Sequence, residues 1–241
     1  MRAILIPVKS FREAKKRLAL HFSPSDRAAL AEALLDDFFR VVEGVQGIKR
    51  IFVVSSEPVA LERARALGWE TIPETEQRSE SDSVDAASHY CAEQGVRALL
   101  RLPVDIPLAQ ARDIEAIFGE LHPSPAAVLI PSRDGTGTNA LLRTPPALFP
   151  SRFGPNSFDK HLAEARRCSA SVRILRNPRL ELDVDDWEDF LELRGKLPPT
   201  SATGRWMVAH GLGVQESRDP ASADRPVPPA ATGGGPELAD R

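Results

Sequence analysis

Ala98-Leu99-Leu100-Arg101-Leu102-Pro103-Val104-Asp105-Ile106-Pro107-Leu108 is a nearly continuous apolar run that stops at a carboxylate fenced by two prolines. A short apolar run between two helix-like segments reads as a strand buried on both faces of a parallel sheet. Pro103 and Pro107 cannot donate to a ladder, so they mark where strand pairing ends and the chain turns out. Ligands of open α/β sheets bind beyond the carboxyl ends of the strands, which is where Asp105 falls. Asp105 is therefore a candidate for a metal or phosphate site.

Moving outward, the pattern predicts a helix from Ser83 to Gln94 before this strand and another from about Ala109 to Leu121 after it. Further upstream, Arg2 to Val8 reads as the first strand, ending at Pro7-Val8-Lys9, so Lys9 holds the same strand-end position as Asp105. Ser23-Pro24-Ser25-Asp26 opens a helix with a capping hydroxyl, a proline at the first position and an acid in the first turn. Leu30, Leu34, Phe38 and Val41 follow at helical spacing and are expected to face the sheet. Ile51 to Val54 is strand two, Glu57 to Leu67 a helix stopped by Gly68, and Trp69 to Ile72 a short third strand. Pro73 to Asp82 is polar and reads as a mobile loop. Alternation of strands and helices at these lengths implies right-handed crossovers. The fold class is α/β: a single-domain, three-layer α/β/α architecture with a mostly parallel central sheet.

Downstream the pattern changes. Ala126 to Ile130 is a strand, and Asp134-Gly135-Thr136-Gly137-Thr138-Asn139 is a glycine-rich turn entering another. Arg152-Phe153-Gly154-Pro155-Asn156-Ser157 is a second turn, with Ser157 placed to cap a helix from Phe158 to Arg166. Val172 to Leu175 reads as an edge strand. Leu180 to Asp186 leads into a helix from Trp187 to Arg194, and a last helix covers Thr203 to His210. From about Gln215 the chain is Pro, Ala, Gly, Asp and Arg, which cannot bury enough surface to offset ordering entropy. Residues 1–214 are therefore expected to form one domain and 215–241 a disordered tail.

The chain has 241 residues, is 42% hydrophobic and carries a formal net charge of -3, which gives no reason to expect nucleic-acid or membrane binding. Cys91 and Cys168 lack metal-ligand spacing and read as two reduced cysteines of a cytoplasmic protein. The apolar N-terminus is too short for a signal peptide, and no run approaches a membrane span.

Asp183 and Asp185 lie two apart in an extended segment, so their carboxylates project to one side. With Asp105 they make an all-carboxylate set suited to Mg²⁺ or Mn²⁺. Alternatively, Asp183 accepts backbone N–H bonds and Asp185 or Asp186 caps the helix at Trp187. The two glycine turns are ordinary tight turns on one reading. On the other, their small residues, exposed N–H groups and hydroxyls make a site for an anion. The basic segment Ser10 to Leu18 is either a solvated face or, directly after strand one, a phosphate-binding loop. The five histidines show no ligand spacing, and none is assigned a catalytic role. No nucleophile-base pair is visible, and a phosphoryl nucleophile needs none, being already ionised at neutral pH.

Together these motifs resemble the 2-phospho-L-lactate guanylyltransferases of coenzyme F420 biosynthesis, within the molybdopterin-guanylyltransferase-like nucleotidyltransferases. The matching stretches are Pro7-Val8-Lys9, Ala14-Lys15-Lys16-Arg17-Leu18, Val104-Asp105-Ile106-Pro107-Leu108, the turns at 134–139 and 152–157, and Asp183-Val184-Asp185. The resemblance, from about residue 3 to 210, implies a nucleotide-diphospho-sugar-transferase-like fold. It also implies a reaction in which the phosphate of a small phospho-acid attacks the α-phosphate of GTP and pyrophosphate leaves. The acceptor is phospholactate, phosphoenolpyruvate or 3-phosphoglycerate. By the same resemblance Asp105, Asp183 and Asp185 hold the metal, and Lys9, Thr138, Gly154 and Ser157 contact the phospho-acid. Lys15 and Arg17 meet the nucleotide phosphates, and Lys9 and Asp105 carry catalysis. The family's Leu-Asn-x-Ala is replaced here by Val84-Asp85-Ala86-Ala87, which makes Asp85 the expected nucleotide contact there. A homodimer is compatible with the family. A glycosyltransferase of similar fold and a non-catalytic GTP-binding module remain as alternatives.

Overall fold

A computed structural model describes residues 1–76, 79–168 and 170–213. The expected tail, 215–241, lies outside the described residues. In chain order the elements are β1 (Arg2–Val8), α1 (Pro24–Glu43), β2 (Arg50–Ser55), α2 (Pro58–Ala66), β3 (Glu70–Pro73), α3 (Glu80–Glu93), β4 (Ala98–Arg101) and α4 (Ala111–Gly119). They continue with β5 (Ala126–Pro131), β6 (Thr138–Thr144), α5 (Ser157–Arg167), β7 (Ser171–Ile174), α6 (Pro178–Glu181), α7 (Trp187–Glu192) and α8 (Ala202–Ala209).

The sheet order is β3-β2-β1-β4-β6-β5-β7. All neighbouring pairs are parallel except β4–β6 and β5–β6. β6 runs backwards because only the turn at 132–137 separates it from β5, and parallel pairing needs a long crossover. β4 therefore has one parallel neighbour and one antiparallel neighbour, not a parallel one on each side. It is fully buried, as its apolar sequence requires.

The two-residue period of β1 sends alternate side chains into different layers. Ile4, Ile6 and Val8 pack with Leu35 and Phe38 of α1, Ala60 and Leu61 of α2, and Ile114 and Ile117 of α4. Ala3 and Leu5 pack on the opposite face with Val84, Ala87 and Cys91 of α3. Farther along that face, Ala165 of α5 meets Ala127, Leu129 and Leu141. The result is the expected three-layer sandwich. Full burial of each leucine or isoleucine is worth about 1.5–3 kcal/mol, so the β1 and β4 core outweighs any single surface contact.

One expectation for α1 is corrected. Phe38 faces the sheet and Val41 is partly buried against it, but Leu30 and Leu34 face away. They pack with Leu182, Phe190, Trp206 and Met207 in a second core under α7 and α8. A 20-residue helix covered on two sides carries two apolar stripes, and spacing alone does not say which partner each stripe meets. The start of α1 follows the sequence closely. The Ser23 hydroxyl accepts from the Asp26 N–H while Asp26 reaches back to Ser23, with Pro24 at the first position. Among the described residues no helix is long and apolar enough to cross a membrane.

Candidate active site

A cavity of about 730 Å³ opens over the carboxyl ends of β1 and β4. β4 itself ends at Arg101, and Asp105 sits four residues on, in the loop the two prolines release from the ladder. That loop is not free. Val184 donates its N–H to the Asp105 carbonyl at 2.9 Å, joining the Asp105 loop to the Asp183–Asp185 segment. Val184 is buried, so the acids on either side of it turn together toward the cavity.

Lys15 stands between the acids. Its Nζ donates to Asp105 Oδ2 at 2.7 Å and to Asp185 Oδ1 at 3.4 Å, with only 8% of its side chain exposed. Its backbone is left-handed, with φ 53, a conformation that non-glycine residues adopt at a cost of about 1–3 kcal/mol. Of the basic segment after β1, Lys15 alone is turned inward; Lys16 pairs with Glu13 on the surface and Arg17 reaches Asp185 from outside at 3.6 Å. Burial by itself would lower the Lys15 pKa, but the Asp105 and Asp185 carboxylates more than offset it and hold the ammonium charged. Burial likewise opposes ionisation of Asp105, and Lys15 overcomes it, keeping that carboxyl below its ordinary value.

Asp183 has a different environment. Asn139, buried on β6, brings its amide nitrogen to 3.0 Å from Asp183 Oδ1 and from the Leu180 and Glu181 carbonyls. Burial, then the nearby charges of Asp105 and Asp185, push the Asp183 pKa up to about 6 against the weaker effect of that amide. Among the described residues Asp183 has no ion-pair partner within 4.0 Å, and two other carboxylates crowd it. As the side chains stand, no three His, Cys, Asp or Glu groups among the described residues are spaced to hold a metal, and Lys15 supplies the positive charge. Hard oxygen donors without imidazole or thiolate still match the chemistry of Mg²⁺. Helix capping, the other reading of these acids, falls to Asp186, which forms a capping box with Asp189 at the start of α7.

The opposite wall is built from the two turns. In the first, Asp134 accepts from the Ser132 hydroxyl and from the N–H and hydroxyl of Thr136. These bonds hold its pKa down to about 2 and make it the turn's internal anchor. Gly137 has no room for a side chain, because a Cβ there would meet Ser132 Oγ at 2.8 Å. In the second turn Gly154 adopts φ +111, open to glycine and strained for other residues. Asn156 takes the position before α5 without a side-chain cap, so Ser157 is the first helical residue and not the cap. Its hydroxyl instead lies 3.4 Å from Thr138 Oγ1, and both residues line the cavity.

Lys9, Lys15, Arg17, Asp105, Thr138, Gly154, Ser157, Asp183 and Asp185 thus converge on one cavity. Asp85 does not. It lies on α3 outside the cavity, accepts the Ser151 N–H at 2.9 Å and faces buried Arg143 at 3.6 Å. Its carboxylate is engaged by a loop N–H just before the 152–157 turn and by a guanidinium, apart from the other expected site residues. Two residues that sequence reasoning passed over line the site. Glu80 opens α3 and pairs with Lys9 at 3.1 Å and with buried Arg101, whose guanidinium packs over the Phe153 ring at 4.2 Å. Glu80 sits in the stretch read as polar loop, and Arg101 inside an apolar run, so neither stood out.

An α/β sheet with an acid cluster beyond its central strands, facing a hydroxyl- and glycine-lined wall, suits an enzyme that handles nucleotides and phosphate groups. Among solved structures the fold resembles a Desulfovibrio desulfuricans G20 chain assigned as a nucleotide-diphospho-sugar transferase. That match has a TM-score of 0.70 at 16% identity and covers 87% of this chain and 95% of the other. A cytidylyltransferase from Leptospira borgpetersenii serovar Hardjo-bovis matches at TM-score 0.52 and 14% identity, over 80% of this chain and 84% of that one. The guanylyl transferase CofC-like family model matches residues 1–219, and the chain belongs to that family. A phosphoenolpyruvate guanylyltransferase from Rubrobacter xylanophilus is 37% identical over 78% of this chain and 91% of its own length. A 2-phospho-L-lactate guanylyltransferase from Methanothermobacter thermautotrophicus is 35% identical over 78% and 82%. The protein is accordingly a nucleotidyltransferase, and the glycosyltransferase and non-catalytic readings are set aside.

Proposed function

We propose that this enzyme joins GMP from GTP to the phosphate of a small phospho-acid, releasing pyrophosphate, as a cytoplasmic step of coenzyme F420 biosynthesis. The observation that carries the reading is the placement of the acid cluster around Lys15 opposite the Thr138, Gly154 and Ser157 wall, across one cavity. The names of the relatives support phosphoenolpyruvate or 2-phospho-L-lactate as acceptor, and the sequence resemblance adds 3-phosphoglycerate.

The acceptor phosphate is already anionic, so no side chain has to generate the nucleophile. The Thr138 and Ser157 hydroxyls and the turn at Gly154 hold the phospho-acid, with Lys9 at the end of β1 neutralising its charge. Lys15 and Arg17 meet the nucleotide phosphates. An acceptor oxygen bonds to the α-phosphorus of GTP, the bond to the β-phosphate oxygen breaks, and the leaving pyrophosphate takes the electron pair. The protein contributes alignment and charge neutralisation, which are large terms in phosphoryl transfer. Asp105, Asp183 and Asp185 would hold Mg²⁺ (or Mn²⁺), which supplies further neutralisation of the triphosphate when bound.

The test incubates the full chain with Mg²⁺, GTP and, in parallel, phosphoenolpyruvate, 2-phospho-L-lactate or 3-phospho-D-glycerate. Pyrophosphate release with a guanylated acid identified by mass establishes the reaction and its acceptor together. GTP binding without pyrophosphate in any tube overturns it.

A further inference from the structure

His161 lies on α5 one turn after Ser157, fully buried, with the Phe153 ring edge-on at 4.8 Å. Both ring nitrogens are committed. The Arg152 backbone N–H points at Nε2 across 2.7 Å, and Nδ1 stands 3.0 Å from Thr138 Oγ1. A backbone N–H can only donate, so Nε2 must accept and the ring proton must sit on Nδ1. Nδ1–H then donates to Thr138 Oγ1, and the Ser157 hydroxyl approaches the same oxygen at 3.4 Å. With its oxygen receiving hydrogens from behind, Thr138 has its own hydroxyl proton left to donate, and Thr138 lines the cavity. The other tautomer and the imidazolium would each set an Nε2–H against the Arg152 N–H. Burial, followed by the positive charges of Arg143, Arg101 and Arg152, pushes the His161 pKa down to about 3, so the ring stays neutral.

We propose that His161 is a positioning residue for the anionic acceptor: as the Nδ1–H tautomer it aims the Thr138 hydroxyl proton into the cavity and ties the 152–154 turn to α5. It touches no reacting atom. The idea rests on the acceptor reading given above, and it adds a residue to which the site motifs give no sequence pointer. It also gives the two turns a common origin of stiffness. They approach each other from different elements, and this one ring bonds to both. An orienting bond of this kind removes freedom from the Thr138 rotor before the ligand arrives.

Two substitutions separate the two bonds. His161→Asn keeps an amide donor near the Nδ1 position and gives up the Arg152 bond. His161→Gln keeps an acceptor near Nε2 and gives up the donor to Thr138. The expected result for His161→Gln is an acceptor KM raised about tenfold, with the KM for GTP held within about twofold. His161→Asn keeps the acceptor KM within about threefold of the parent even where its melting temperature falls further. Equal rises in both KM values, or losses that follow melting temperature alone, overturn the proposal. On the unmodified protein, ¹⁵N-resolved imidazole spectra are expected to show His161 as the Nδ1–H tautomer with no titration between about pH 5 and about pH 8. An Nε2–H tautomer or an imidazolium there overturns the proposal without any variant having to fold. If no guanylated acid forms, the functional reading fails first. Inorganic phosphate titrated into the parent and both variants then decides for His161, with weaker binding in His161→Gln alone supporting it and equal binding in all three sinking it.

Discussion

The Lys15 ammonium lies 2.7 Å from Asp105 Oδ2, and this pair joins a loop after β1 to a loop after β4 across 90 residues of sequence. The Lys15 side chain is only 8% exposed and that of Asp105 24%, so the pair is largely withdrawn from water and each charge favours the other. Removing one partner of a buried pair is costly because the other is left uncompensated. Asp105→Asn is therefore expected to lower turnover at least about 100-fold while circular dichroism shows the fold retained. Near-parental turnover in this variant would take Asp105 out of the site.

Asn139 provides a second, independent test. Its amide supports the Leu180 and Glu181 carbonyls together with Asp183. Asn139→Ala takes this donor from the Leu180 carbonyl and Asp183, while the Glu181 carbonyl keeps the Arg133 N–H, and an unreplaced bond to a buried acceptor costs about 1–3 kcal/mol. Urea unfolding should show that loss, and Mg²⁺ should bind more weakly because Asp183 is no longer held in place. Unchanged stability would mean that water or a shifted side chain takes over the amide's bonds.

Ser157 is expected to act on one substrate only. Its hydroxyl faces Thr138 on the acceptor wall, away from the Lys15 side of the cavity. Ser157→Ala should raise the acceptor KM about tenfold, the value of one hydrogen bond to a charged group, and leave the KM for GTP nearly unchanged. Steady-state kinetics with each substrate varied in turn decides it, and parallel changes would contradict the assignment.

His161 gives a pH dependence with a definite sign. Its folded pKa, about 3, lies below the ordinary histidine value of 6.5, so the unfolded chain binds a proton that the folded chain refuses. Stability contributed by this group is present above pH 6.5 and lost as pH falls from there toward 3, at no more than about 1.4 kcal/mol per pH unit. Denaturant titrations of the parent and His161→Asn should converge as the pH is lowered through that window. A constant gap between the two curves would mean that His161 is not held neutral by the fold.

Much of the architecture could be read in the chain because its causes are local. The capping box at Ser23, the prolines around Asp105, the apolar periods of β1 and α1 and the short turn before β6 each act within a few residues. The acids of the site were legible for a similar reason, since Asp183 and Asp185 share a face through strand geometry and Asp105 ends an apolar run. What lay beyond sequence was partnership across distance. Leu30 and Leu34 have helical spacing whichever core they enter, and only the placement of α7 and α8 turns them from the sheet. Asp85 has the charge of a nucleotide contact, and only the fold brings Ser151 and Arg143 against it. His161 shows no spacing to any ligand, and its role arises when Arg152 and Thr138 arrive at its two nitrogens from different elements. Periodicity and turn chemistry depend on neighbours in the chain, whereas the charge state and aim of a buried polar group depend on whichever groups the fold brings against it.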